Sequence, residues 1–102
     1  MELALTGDPI TAERGAELGL VNRLAEPGGA VDAALELAER IAVNAPLALA
    51  ATKAILQRQR DWGEDAFWDE QRRISEPVFR SSDAREGATA FAEKRAPVWT
   101  GT

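Results

Sequence analysis

The chain contains no cysteine, no histidine and no tyrosine. Without thiols there is no disulfide, no thiolate nucleophile and no zinc-thiolate centre. Without imidazole there is no His-containing triad and no His-ligated metal, and the side chain whose ordinary pKa best suits proton transfer near neutral pH is missing. Chemistry done by these residues alone falls to Asp, Glu, Lys, Ser or Thr. Nor is there a Lys/Arg-rich block: the net charge is −5, so neither a nucleic acid nor an anionic membrane is expected as a partner. No signal peptide and no apolar run of membrane-spanning length occurs, which makes the cytoplasm the default location. The Gly-rich phosphate loop, the Gly-x-Ser-x-Gly elbow, EF-hand spacing and His-Glu-x-x-His are all missing. No catalytic residue and no metal ligand is assigned.

What remains is 102 residues, 45% apolar and 28% charged, a soluble globular composition large enough for a modest core. The pattern predicts an all-α chain, organised as a single helical domain over 1–102. Residues 1–29 hold a helix end, a short helix and an extended segment; residues 30–102 hold four helices and a tail. Met1 to Thr6 reads as the last turns of a helix closed by Gly7, without a first turn of its own. Thr11 can cap a short helix, Ala12 to Leu18, stopped by Gly19. Leu20 to Leu24 is a brief apolar run, read as extended.

After the break at Glu26-Pro27-Gly28-Gly29, Val31, Ala34, Leu35, Ala38, Ile41 and Ala42 keep helical spacing, with Asp32, Glu36, Glu39 and Arg40 off the stripe. Asn44-Ala45-Pro46 ends that helix, and Pro46 suits the first position of the next, which runs to about Arg60. Its many alanines and leucines cover much of the circumference, which predicts burial on more than one side or contact with a second subunit. Lys53 interrupts that run and is expected to snorkel to solvent, a ligand role being the alternative. A helix from about Glu64 to Phe79 has Phe67, Ile74 and Val78 as its stripe, Trp68 and Phe79 to the side, and Pro77 placed to kink or end it early. The carboxylate pairs Glu64/Asp65 and Asp69/Glu70 lie where the helix dipole already accounts for them.

Ser82 to Arg95 carries the most information. Ser82 is read as the N-cap, Asp83 and Glu86 put negative charge in the first turn, and Lys94 and Arg95 put positive charge in the last. Ala84, Gly87, Ala88 and Phe91 fall at i, i+3, i+4 and i+7, a stripe of small residues ending in one aromatic ring, with Lys94 a turn further on. A glycine inside a helix costs roughly 1 kcal/mol against alanine, so something must approach the backbone closely at Gly87. Two bodies fit: another helix, with Lys94 and Arg95 as a solvated charge pair, or a bound ligand. Trp99, in the tail that follows, is expected to be a packing anchor.

Taken in order, Leu3-Ala4-Leu5-Thr6-Gly7, Ile10-Thr11-Ala12-Glu13 and Leu18-Gly19-Leu20-Val21-Asn22 resemble a run found in the enoyl-CoA hydratase/isomerase, or crotonase, family. The resemblance continues through Ala38-Glu39-Arg40-Ile41-Ala42, Asn44-Ala45-Pro46-Leu47-Ala48, Ala51-Thr52-Lys53, Ser82-Asp83-Ala84-Arg85-Glu86-Gly87 and Phe91-x-Glu-Lys94-Arg95. Each motif is weak alone; their order and spacing across the whole chain are specific. Gly15 stands where the family has alanine, and positions near Ser75 that are aromatic in some relatives are polar here.

The resemblance implies the helical C-terminal region of a crotonase fold, without the N-terminal α/β spiral domain that supplies the oxyanion hole and the acidic catalytic residues. It implies a part that packs subunits into trimers or hexamers and closes over an acyl-CoA pocket, in an enzyme that hydrates 2-enoyl-CoA in fatty acid or related acyl-CoA metabolism. The aromatic at Phe91 would border the acyl or pantetheine pocket, and Lys94 would reach a phosphate of coenzyme A as a flexible point charge. Coenzyme A enters as the substrate's thioester, with no separate cofactor. The chain alone is expected to be an inactive C-terminal piece that self-associates. The alternative is a free-standing helical oligomerisation module without catalysis.

Overall fold

Apolar residues every three to four positions, punctuated by glycine and proline, direct this chain into helices throughout. The computed structural model describes residues 1–102 and contains six α-helices: α1 (Glu2–Thr6), α2 (Ala12–Glu17), α3 (Ala30–Ala42), α4 (Pro46–Arg58), α5 (Glu64–Phe79) and α6 (Ser82–Glu93). A 3-10 turn, Gln59–Asp61, joins α4 to α5. No strand is present, so the all-α expectation holds. The residues group into two compact units, Met1–Glu39 and Arg40–Thr102.

In the first unit, α1 closes at Gly7 in the left-handed conformation, as its sequence position requires. Thr11 caps α2 by accepting from the Arg14 amide at 3.2 Å. The end of α2 is a Schellman turn around Gly19, with the Leu20 amide donating to the Gly15 carbonyl at 2.8 Å and the Gly19 amide to Ala16 at 3.0 Å. Val21 also donates to Gly15, so the Leu20–Leu24 run begins as the end of a helix and continues as irregular chain. Gly15 is buried, and a methyl group there would meet Val21 and Ile10 at ordinary contact distances of 3.8 and 3.9 Å. Alanine would therefore fit.

The helix α3 forms where its periodicity places it, but its apolar stripe is open. Val31 is 69% exposed, Leu35 58% and Ile41 47%, while Ala33 and Leu37, on a neighbouring face, are half-buried. Ala30, Ala33, Ala34 and Leu37 line one side of a cleft of about 330 Å³ whose other wall is Ala12 and residues 21–25. Spacing identified the helix correctly; it did not identify which face this chain covers.

In the second unit α4 packs on α5. Leu47, Ala48, Leu49, Ala51, Ala54 and Ile55 are half-buried, and Lys53 is exposed. The stripe Phe67, Ile74 and Val78 is half-buried as its spacing requires, and Phe67 meets Trp62 and Trp68 edge to face, with ring centroids 5.9 and 5.1 Å apart. The helix runs through Pro77 and ends two residues later, where the Arg80 amide donates to the Glu76 carbonyl. Asp69 pairs with Arg72, Glu70 with Arg73 and Glu76 with Arg80 along its exposed side. The carboxylate pair Asp69/Glu70 is thereby accounted for as intrahelical ion pairs.

One cap differs from the sequence expectation. Ser81, not Ser82, is the N-cap of α6: its hydroxyl accepts from the Ala84 amide at 3.0 Å and donates to the Val78 carbonyl at 2.6 Å. Ser82 is the first helical residue, with an exposed side chain. Two adjacent serines carry the same cap signal, and the turn out of α5 decides between them. Ser81→Ala is expected to lower stability by about 1–2 kcal/mol in urea denaturation, whereas Ser82→Ala is expected to change it by less than about 0.5 kcal/mol.

Candidate functional site

The stripe Ala84, Gly87, Ala88 and Phe91 divides in two in the structure. Of its small residues, Ala84 and Gly87 are half-buried within the chain, while Ala88 is exposed. The tail after α6 folds back and lays the Trp99 ring against Gly87, where an added methyl group would come within 3.2 Å of the indole. The indole N–H donates to the Val43 carbonyl at 2.8 Å, so the ring is held between α6 and the residues entering α4. The close approach predicted at Gly87 is real. The approaching body is neither a helix nor a ligand but Trp99, which is the packing anchor expected of it. Trp99, Ala84, Gly87 and Ala88 line a cleft of about 310 Å³ together with Ala45, Leu47, Ala48, Val78 and Phe79.

The aromatic end of the stripe is uncovered. Phe91 is 88% exposed, and Lys94, one turn on, is exposed with no ion pair inside the chain. Lys94 is also the one non-glycine residue with positive φ, at 56°. It occupies the left-handed position of a Schellman turn: its own amide donates to Phe91 and the Arg95 amide to Ala90, at 3.3 and 3.0 Å. A side chain there costs roughly 1–2 kcal/mol relative to glycine, so other contacts must hold the turn. Phe91 and Lys94 thus lie three residues apart at an open helix end, joined through the backbone bond of the turn.

Those contacts come from Arg95, which is exposed but ion-paired within the chain. Its guanidinium makes a two-pronged pair with Glu86, at 2.6 and 3.0 Å, and donates to Glu93 at 2.6 Å. Glu86 accepts in addition from the Val98 amide at 2.8 Å. The Arg95 hydrogen bonds, then the Val98 amide, hold the Glu86 carboxyl down at about 2. The Glu86 and Glu93 carboxylates push Arg95 further above its already high range.

A second carboxylate, Asp83, is only 2% exposed. It accepts from the Thr100 amide at 2.7 Å, the Thr100 hydroxyl at 3.1 Å and the Gly101 amide at 2.9 Å. The Thr100 amide does most to lower its pKa, against the opposing effect of burial. The Thr102 carbonyl accepts from the Ser82 and Asp83 amides at 2.7 and 3.2 Å, completing with Ser81 the satisfaction of the first three amides of α6. Sequence reasoning placed Asp83 and Glu86 as dipole charges and missed both roles. Their partners lie nine to eighteen residues away, beyond any helical spacing. No cluster of three or more acidic side chains is placed to hold a metal ion, and no helix is long and apolar enough to cross a membrane.

Both carboxylates have folded-state pKa values below their ordinary 3.8 and 4.5. The stability they contribute is therefore complete above that range and lost as pH falls through it toward about 2. In acid titrations followed by tryptophan fluorescence, with Trp62→Phe and Trp68→Phe leaving Trp99 as reporter, the signal is expected to hold flat down to about pH 5 and change below pH 4.5. Glu86→Gln is expected to remove part of that acid-dependent change.

The whole chain, residues 1–102, matches the family model described as enoyl-CoA hydratase/isomerase. Among solved structures, an enoyl-CoA hydratase from Mycobacterium tuberculosis H37Rv is 62% identical and superposes with a TM-score of 0.97, and one from Mycobacterium marinum is 60% identical with a TM-score of 0.96. Both matches cover 100% of this chain and 40% of the other. A carnitinyl-CoA dehydratase from Salmonella arizonae is 40% identical over 98% of this chain and 40% of its own length. The chain thus spans about two-fifths of the length of these relatives. From its first residue to its last, this helical chain belongs to the enoyl-CoA hydratase/isomerase family.

Proposed function

We propose that this chain is the subunit-packing and pocket-closing C-terminal helical region of an enzyme that adds water across the double bond of a 2-enoyl-CoA. The observation that carries the proposal is the mismatch between pattern and burial. Ala90 is the one fully buried apolar residue, at 1% exposure, while Val31, Leu35, Trp68, Phe79 and Phe91 stand open. Apolar stripes at helical spacing are made to be covered, and contiguous exposed apolar surface marks a contact with another body. The open stripe of α3 is the face for the rest of such an enzyme, and the open aromatics of α5 and α6 serve for a neighbouring subunit and for the substrate.

At the end of α6, Phe91 offers an apolar wall for the acyl or pantetheine part of the substrate. Lys94 offers an uncommitted ammonium for a coenzyme A phosphate. The relatives' names support this substrate class: a hydratase and a dehydratase of CoA thioesters run the same addition of water in opposite directions. The residues here contribute binding and shape. Stabilising the thioester enolate and moving the proton require convergent hydrogen-bond donors and free carboxylates, whereas Asp83 and Glu86 are fully engaged with the tail and Arg95.

Purified 102-residue chain mixed with crotonyl-CoA is accordingly expected to leave the absorbance of the conjugated thioester unchanged; turnover at the rate of a whole hydratase would sink the proposal. In sedimentation at micromolar concentration the same preparation is expected to self-associate, and a compact monomer would speak against the subunit-packing role.

A further inference from the structure

The backbone of α6 lies less closely against its neighbours than those of α4 and α5 lie against each other, although its Ala90 is buried. Within the second unit α4 and α5 pack extensively on each other, while α6 makes only a small contact with α5. What ties α6 to the start of α4 is the segment Ala96–Thr102, and the tie consists of separate fixed points. Trp99 fills the space left by the missing side chain of Gly87 and bonds to Val43. Asp83 accepts from Thr100 and Gly101, Glu86 accepts from Val98, and the first two amides of α6 donate to the Thr102 carbonyl. Gly101 turns at φ 74° beside Pro46, whose ring would lie 3.7 Å from an added methyl group.

We infer that Ala96–Thr102 is a detachable strap seated in a receptor formed by α6 and the start of α4, and that undocking it frees α6 to move, carrying Phe91 and Lys94. The receptor groups belong to helices or their immediate ends, so they persist when the segment leaves. The segment has no regular structure of its own, so its shape is imposed by what it docks on. It recognises through specific features: an indole, a hydroxyl, and a glycine in a conformation other residues rarely adopt. Its Val98, Thr100 and Thr102 are exposed, alternating with half-buried Pro97, Trp99 and Gly101, and no helix or ladder hydrogen bonds run through it, features shared by segments that open locally. Only the consequence for Phe91 and Lys94 rests on the proposed coenzyme A role; the strap and its receptor do not.

Hydrogen exchange on the full chain tests this without any substrate. Trp99→Ala is expected to speed exchange of the α6 amides at least roughly tenfold while those of α4 and α5 keep their protection. A synthetic peptide of sequence Ala96–Thr102, with its tryptophan intact, is expected to dock in trans on that variant and restore α6 protection saturably. Asp83→Asn in the full chain, which sets an amide against donors that now face a carboxylate, is expected to give a milder loss confined to α6. Equal loss in all helices, or global unfolding, would show the segment to be ordinary core and overturn the inference. So would an unchanged α6, or a peptide that restores nothing. Because the readout contains no coenzyme A, these failures are distinct from failure of the proposed function.

Discussion

The seating of the tail on α6 depends on a carboxylate taken out of water. Burying an ionised group without partners is prohibitively costly, yet Asp83 is 2% exposed. The tail resolves this by bringing two backbone amides and a hydroxyl to its oxygens. The dependence runs both ways. The tail has no ladder or helix to satisfy its own amides, and buried backbone donors must be paired. Asp83 fixes the chain at Thr100 and Gly101, directly after the point where Trp99 lies against Gly87. Glu86 repeats the arrangement one turn along, with Arg95 and the Val98 amide as donors. The stripe of α6 thus belongs to internal packing at Ala84 and Gly87 and is open at Ala88 and Phe91.

The apolar surfaces that remain have a different origin. In α3 the half-buried residues are those facing the cleft with Ala12 and residues 21–25, whereas Val31 and Leu35 face outward. A helix that shows water a β-branched and a leucine side chain one turn apart gives up roughly 1.5–3 kcal/mol for each that burial would otherwise supply. The family's longer members, of which this chain matches about two-fifths, supply more chain.

How much of this was readable beforehand varied with the range of the interaction. Helix positions follow from contacts three or four residues apart, and α3, α4, α5 and α6 all lie where their spacing puts them. The requirement for close approach at Gly87 was legible because a mid-helix glycine is a local cost needing a local cause. Its partner was not, because nothing in residues 82–95 encodes a chain reversal that delivers a residue from position 99. For the same reason Glu86 and Arg95, nine apart, looked like opposite ends of a dipole and not like a pair. The family resemblance compensated in part, since order and spacing of motifs carry long-range information that periodicity does not.

The left-handed Lys94 connects the tail network to the open end of α6. Residues held in sparsely populated backbone regions persist only where surrounding contacts over-determine them. At Lys94 those contacts are the two Schellman hydrogen bonds and, immediately after it, an arginine fixed to Glu86 and Glu93. Glycine would satisfy the same turn without strain, so the lysine is not there for the backbone's benefit. A flexible side chain fixed at its root and free at its tip gives up little conformational freedom until it meets a partner, and its charge remains uncommitted meanwhile. By engaging Arg95, the internal ion pairs leave Lys94 as the unpaired cation of the pair, three residues after the one large ring on α6.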